Sequence, residues 1–183
     1  KEEYLLSNYL EKTNEPYAVA KLAGINMCQS YNYQYNLNYK CLMPCNAYGI
    51  NDNYDLQSSH FFPALIRKIV EASNKKKTFV KLWGTGKVNR ELIYVDDIAD
   101  ACIFFMNKKV KHSLINVGSE EENTIENVAK LIAKKIKSKI KIKFDKNLKM
   151  SGTPRKILDC TLARSYGWKK KISFDKALGL TIE

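Results

Sequence analysis

Between Asn123 and Phe144 the spacing of apolar residues changes from a helical period to an extended one, and this change constrains the fold more than any other feature. Ile125, Val128, Ala129, Ile132, Ala133 and Ile136 recur at i, i+3, i+4 spacing, as in a helix with one apolar face. Ile140, Ile142 and Phe144 then alternate with Lys139, Lys141 and Lys143, as in a strand with one face in a core and one in water. A chain that repeats this alternation reads as an α/β protein, with helices covering a sheet.

The alternation does repeat. After Pro16 a helix is expected to run to Tyr35, with Ala20, Leu22, Ala23, Ile25, Met27 and Cys28 forming a broad apolar surface suited to burial or dimerisation. Lys40 to Asn46 reads as a strand, and Tyr48 to Asn53 as a turn. A helix capped by Ser58 or Ser59 should start at His60, hold Pro63 in its first turn and end near Ser73. Thr78 to Trp83 and Glu91 to Val95 read as strands around a Gly84-Thr85-Gly86 turn. Asp96 should cap a helix ending near Asn107, Leu114 to Val117 should be a strand, and Asn123 with Glu126 forms a capping box.

Composition narrows the class further. With 183 residues and 45% hydrophobic content, disorder is not expected. Lys plus Arg number 31 against 19 for Asp plus Glu, a net charge of +12, which favours an anionic partner. The lysine clusters at 75–77, 108–111 and 169–171 read as solvated faces. They lack interleaved aromatics and carry no RNA-binding or zinc-finger signature, so a nucleic-acid-binding module is only a rival reading. No stretch approaches a membrane span and the first residues lack an apolar run, so a soluble, cytoplasmic protein is expected, with no membrane partner. The five cysteines show no CxxC spacing and the two histidines lie near no cysteine pair. They are expected to be reduced, mostly buried thiols, with no structural zinc.

Several residues could carry chemistry. Tyr17 and Lys21 stand four apart on an expected helix, so their side chains share a face. An ammonium beside a phenol stabilises the phenolate and lets it exchange a proton with a sugar hydroxyl or ketone. Tyr166 and Lys170 share the spacing, but Gly167 interrupts any continuous helix there. Gly84-Thr85-Gly86-Lys87 is no P-loop, because Lys81 occupies the first glycine position and Val88 the metal-binding one. His60 reads either as a proton donor or as a polar helix cap. Trp83 and Arg90 read either as a stacking face and a phosphate clamp or as a core tryptophan and a surface arginine.

Read in order, Glu15-Pro16-Tyr17-Ala18-Val19-Ala20-Lys21, Met43-Pro44-Cys45-Asn46-Ala47-Tyr48-Gly49 and Arg90-Glu91-Leu92-Ile93-Tyr94-Val95-Asp96-Asp97 resemble segments of the extended short-chain dehydrogenases/reductases. Ser59-His60-Phe61-Phe62-Pro63-Ala64-Leu65, Trp83-Gly84-Thr85-Gly86 and Gly152-Thr153-Pro154-Arg155-Lys156 resemble the GDP-L-fucose synthase family within them. The resemblance covers nearly the whole chain. It implies epimerisation at two carbons flanking a ketone, followed by hydride delivery from NADPH. It implies that Tyr17 donates a proton to the ketone oxygen, that Lys21 tunes it and binds the cofactor, and that His60 is the epimerisation acid beside the cofactor. It further implies that Pro44, Cys45, Asn46 and Ala47 line the nicotinamide and that Trp83 and Arg90 bind a GDP-sugar with Lys68 and Ser151. Lys68 stands where the family has arginine and Ser151 where it has an acid.

The family's glycine-rich NADP-binding half, with its active-site serine and cysteine, has no counterpart in this sequence. The resemblance therefore implies the C-terminal part of a Rossmann fold over residues 1–56 plus a smaller α/β substrate-binding domain over 57–183. The segment 91–107 is expected to return to the Rossmann sheet, and the helix of Tyr17 and Lys21 to form a homodimer. Other extended reductases, such as a nucleotide-sugar dehydratase or a single-centre epimerase, remain open, as does a remnant that only dimerises.

Overall fold

The computed structural model describes residues 1–145, 147, 153 and 155–182. Two short 3-10 turns, Glu2–Tyr4 and Lys12–Asn14, precede α1 (Glu15–Tyr35). Then follow β1 (Cys41–Pro44), β2 (Asn46–Tyr48), α2 (Phe61–Asn74), β3 (Phe79–Trp83), β4 (Asn89–Tyr94) and α3 (Val95–Asn107). The chain continues through β5 (Leu114–Val117), β6 (Glu122–Thr124), α4 (Ile125–Lys135), β7 (Lys141–Asp145), β8 (Arg155–Lys156), α5 (Thr161–Ser165) and α6 (Phe174–Ile182).

The pairing is mainly parallel, which requires crossovers and makes this an α/β fold. β1 pairs with β5, β2 with β4, β3 with β7 and β8 with β4, all parallel, while β6 joins β4 antiparallel. Two cores result. In the first, Phe62, Leu65, Ile66 and Ile69 of α2 pack with Val80 and Leu82 of β3, Val128 and Ile132 of α4, and Leu178 of α6. In the second, Ala101 and Phe105 of α3 pack with Ile115 and Val117 of β5 and with Trp168. Successive strand residues point to opposite faces, so β4 feeds both: Leu92 and Tyr94 enter the first core and Ile93 the second.

Periodicity located the elements better than it located their ends. His60, not Ser58 or Ser59, is the N-cap of α2; Ser58 instead donates to Asp55, and the Ser59 hydroxyl is buried without a partner among the described residues. Tyr94 precedes α3, which places Asp96 in the first turn. Asp97 accepts from the backbone N–H groups of Lys171 (2.8 Å) and Ile172 (3.3 Å). Thr124, not Asn123, caps α4 by accepting from Asn127 N at 3.1 Å, and Glu126 pairs with Lys130 at 2.6 Å rather than closing a box.

The strand expected at Lys40 to Asn46 divides at Cys45, because β1 and β2 pair with different neighbours. Tyr166 lies just beyond α5, so no helix carries it to Lys170. The thiols are free but not mostly buried: only Cys160 is buried, Cys102 is exposed and the other three are half-buried. Among the described residues no helix is long and apolar enough to cross a membrane.

Candidate active site

β1 and β5 run parallel to a shared carboxyl end, where Pro44 lies opposite Val117. In parallel sheets this end gathers ligands, and here the chain passes through Pro44, Cys45, Asn46 and Ala47. Cys45 N donates to Val117 O at 3.1 Å, and Asn46 Nδ2 donates to Glu91 O at 2.7 Å. The segment is thus fixed to both cores by backbone partners.

Beneath it lies Glu91, fully buried. One carboxyl oxygen accepts from Glu120 N at 2.7 Å and the other from Leu158 N at 2.8 Å. Burial raises its carboxyl above the usual range, against the lowering pull of those hydrogen bonds. Burial and the nearby Glu91 charge also push the Cys45 thiol well up. A thiol held protonated is a poor nucleophile. Gly118 completes this contact, because a Cβ there would overlap Glu91 Oε1.

Tyr17 and Lys21 lie on the solvent-facing surface of α1, where the Lys21 ammonium sits 5.4 Å from the Tyr17 ring centroid. The far end of α1 is tied to the body. Gln29 Nε2 donates to Ser113 Oγ at 3.4 Å, and Asn32 exchanges two hydrogen bonds with the Tyr39 backbone at 2.7 and 2.9 Å. His60 is exposed at the amino end of α2.

Trp83 and Lys68 meet across β3 and α2. The ammonium stands 4.1 Å from the indole centroid, and burial lowers the Lys68 pKa. Beside them opens a cavity of about 610 Å³, also lined by Glu71, Lys75, Thr78 and Lys81. Arg90, half-buried on β4, donates through one terminal nitrogen to Asn89 O (2.7 Å) and Thr153 O (2.8 Å). These bonds hold the guanidinium beside the β8 segment, and desolvation lowers its pKa. Ser151 lies outside the described residues.

The structure therefore brings Tyr17 to Lys21, Cys45 and Asn46 to Glu91, and Trp83 to Lys68. Among the described residues no hydrogen bond joins the side chains of Tyr17, Lys21 and His60 to one another. Glu91 and Gly118 were missed from sequence. The available signal was a carboxylate between Arg90 and Leu92, on the inward-facing register of a strand that otherwise buries leucine, isoleucine and tyrosine.

Parallel strands joined by helices, with a tyrosine-lysine pair on one helix and an aromatic-cationic cluster beside a cavity, make this an α/β protein. Residues 1–118 match the model of the NAD dependent epimerase/dehydratase family, and the chain belongs to that family. It is 42% identical over 191 residues to GDP-L-fucose synthase of Escherichia coli (strain K12), covering 100% of this chain and 59% of the relative. It is 41% identical over 182 residues to GDP-L-fucose synthase 1 of Arabidopsis thaliana, covering 100% and 56%. Among solved structures, the GDP-mannoheptose C4 reductase of Campylobacter jejuni, with NADP bound, superposes with a TM-score of 0.86 at 30% identity, covering 100% of this chain and 63% of that one. The chain spans somewhat more than half the length of the curated relatives it matches.

Proposed function

We propose that this chain supplies the proton-transfer and sugar-nucleotide-binding part of an NADP(H)-dependent epimerase-reductase that converts GDP-4-keto-6-deoxymannose to GDP-L-fucose. The observation that carries this reading is the Lys21 ammonium 5.4 Å from the Tyr17 ring, on one accessible helix face. The family membership and the identity to GDP-L-fucose synthases support the choice of substrate.

The residues fit the nicotinamide end of the cofactor: Lys21 offers donors for a ribose, His60 stands exposed, and Pro44 to Ala47 form a wall fixed through Asn46 and Glu91. When bound, NADPH supplies the hydride. Tyr17 Oη gives its proton to the ketone oxygen during reduction, and Lys21 offsets the charge left on the phenol. The active-site cysteine of the family's cofactor half takes a proton from each carbon beside the ketone as base, and His60 returns one on the opposite face, which inverts them. Trp83 stacks on the guanine, while Arg90, Lys68 and Ser151 hold the diphosphate-sugar; Lys68 does so without the bidentate fork of an arginine.

In this reading residues 1–56 complete the cofactor domain, 57–183 form mainly the substrate domain, and 91–107 return to the first. α1 pairs two copies of the enzyme in the cytoplasm.

Calorimetric titration with GDP, using ADP as control, tests the nucleotide part. Saturable preference for GDP, lost in Trp83→Ala, is expected, and silence toward GDP overturns it. In a complete enzyme carrying this sequence, Tyr17→Phe should lower the reduction rate by about 10²–10⁴-fold. His60→Asn should abolish epimerisation; undiminished epimerisation would move the assignment to another extended reductase.

A further inference from the structure

We propose that the outer face of the β3–β7 ribbon is a platform for single-stranded nucleic acid. The inner face of the ribbon is committed to the first core through Val80, Leu82, Ile142 and Phe144. Its outer face alternates rings and cations. β3 exposes Phe79, Lys81 and Trp83, with Phe79 43% and Trp83 53% exposed. Parallel register sets Lys141 opposite Phe79 and Lys143 opposite Lys81. Lys77 leads into β3, and Lys68 reaches across from α2 to the indole. Along the sequence β3 alternates Phe79, Lys81 and Trp83 behind the Lys75 to Lys77 run, and the pairing of β3 with β7 adds Lys141 and Lys143 to the same ribbon.

The charges are only partly spent. Lys75 pairs with Glu71 at 3.8 Å and Lys81 with Asp145 at 2.6 Å. Among the described residues no carboxylate pairs with Lys68, Lys77, Lys141 or Lys143. Two of these rest instead on rings: Lys68 at 4.1 Å from the Trp83 centroid and Lys143 at 4.3 Å from that of Phe79. An ammonium held over a ring can move to a phosphate, which satisfies its charge better and uncovers the ring for a base. An acidic peptide would use the lysines and leave the rings idle, and a duplex hides its base faces. A single strand uses both. The platform is longer than a mononucleotide needs, since Phe79 and Trp83 lie four residues apart, about 13 Å along the strand. It shares Trp83 and Lys68 with the proposed GDP site, and Phe79 lines the same cavity, whereas Lys141 and Lys143 do not line it.

The test is a fluorescence-anisotropy titration of this chain with oligouridylate and oligothymidylate, each about 12 nucleotides long, beside a mixed-sequence duplex and heparin. Both single strands should bind in preference to the duplex, and their relative affinities decide between RNA and DNA. Neutralising four phosphates predicts a loss of roughly 50-fold between about 50 and 200 mM salt. Phe79→Leu, checked for folding by circular dichroism, should weaken the single strands about tenfold. Lys141→Gln should reduce the salt slope and leave GDP binding unchanged. Equal binding of duplex and heparin with no effect of Phe79→Leu, or no binding at low salt, overturns the proposal. The GDP arm registers the failure of the nucleotide site separately.

Discussion

α1 and α2 show two ways of fixing a helix. α2 has 14 residues and buries Phe62, Leu65, Ile66 and Ile69 among others, so apolar area removed from water determines its position. α1 has 21 residues and buries none of them. Its order comes from local chemistry and a few polar ties: Pro16 in its first turn, Asn36 in a left-handed conformation at its end, and the bonds of Gln29 and Asn32 to the body. The contrast separates stability from chemistry. The proposed proton-transfer pair rides on the less buried helix, while the well-packed helix carries His60 and Lys68 at its edges.

The largest effect should come from the packed side. Phe62→Ala should lower unfolding free energy by about 3–5 kcal/mol in urea titrations, because the ring is 1% exposed among Tyr48, Phe61 and Phe174. A loss like that of a surface substitution would break the comparison. Glu91→Gln should come next, at about 1–3 kcal/mol near pH 4, since one of two buried N–H donors then faces an amide NH₂. Burial raises the Glu91 carboxyl, so the native state holds its proton more tightly than the unfolded state. The Glu91 contribution is full below the unfolded value, about 4.3, and is lost as pH rises through the native one. The cost of Glu91→Gln should therefore shrink toward neutral pH, and a cost that grows with pH would refute this account. The smallest effect belongs to α1. Gly24 has open space where a Cβ would stand, so Gly24→Ala should stabilise by about 0.5–1 kcal/mol, read as a rise in Tm. A loss of stability would show that something packs on that helix in solution.

Signals that act within one element were legible in the sequence. The apolar spacing of α4 and the alternation of β7 survive folding because each is set by a single helix or strand facing one core. Caps were less legible, since Ser58, Ser59 and His60 compete within three residues and the Asp55 loop claims Ser58. Most of the site depends on elements distant in sequence. Glu91 gains meaning only when the backbone at Glu120 and Leu158 closes on it, and the contact of Lys68 with Trp83 needs α2 laid across β3. Tyr17 and Lys21 were the exception because one helical turn joins them.

β4 has a mechanical consequence. Its first half is gripped by β6 and β8 and its second by β2, while Leu92, Ile93 and Tyr94 drive alternately into the two cores. A displacement of this strand empties both cores together, so neither can melt while the other stays whole. Heating or denaturant should give one cooperative transition, and the amides of Leu92 to Tyr94 should be among the last to exchange with deuterium.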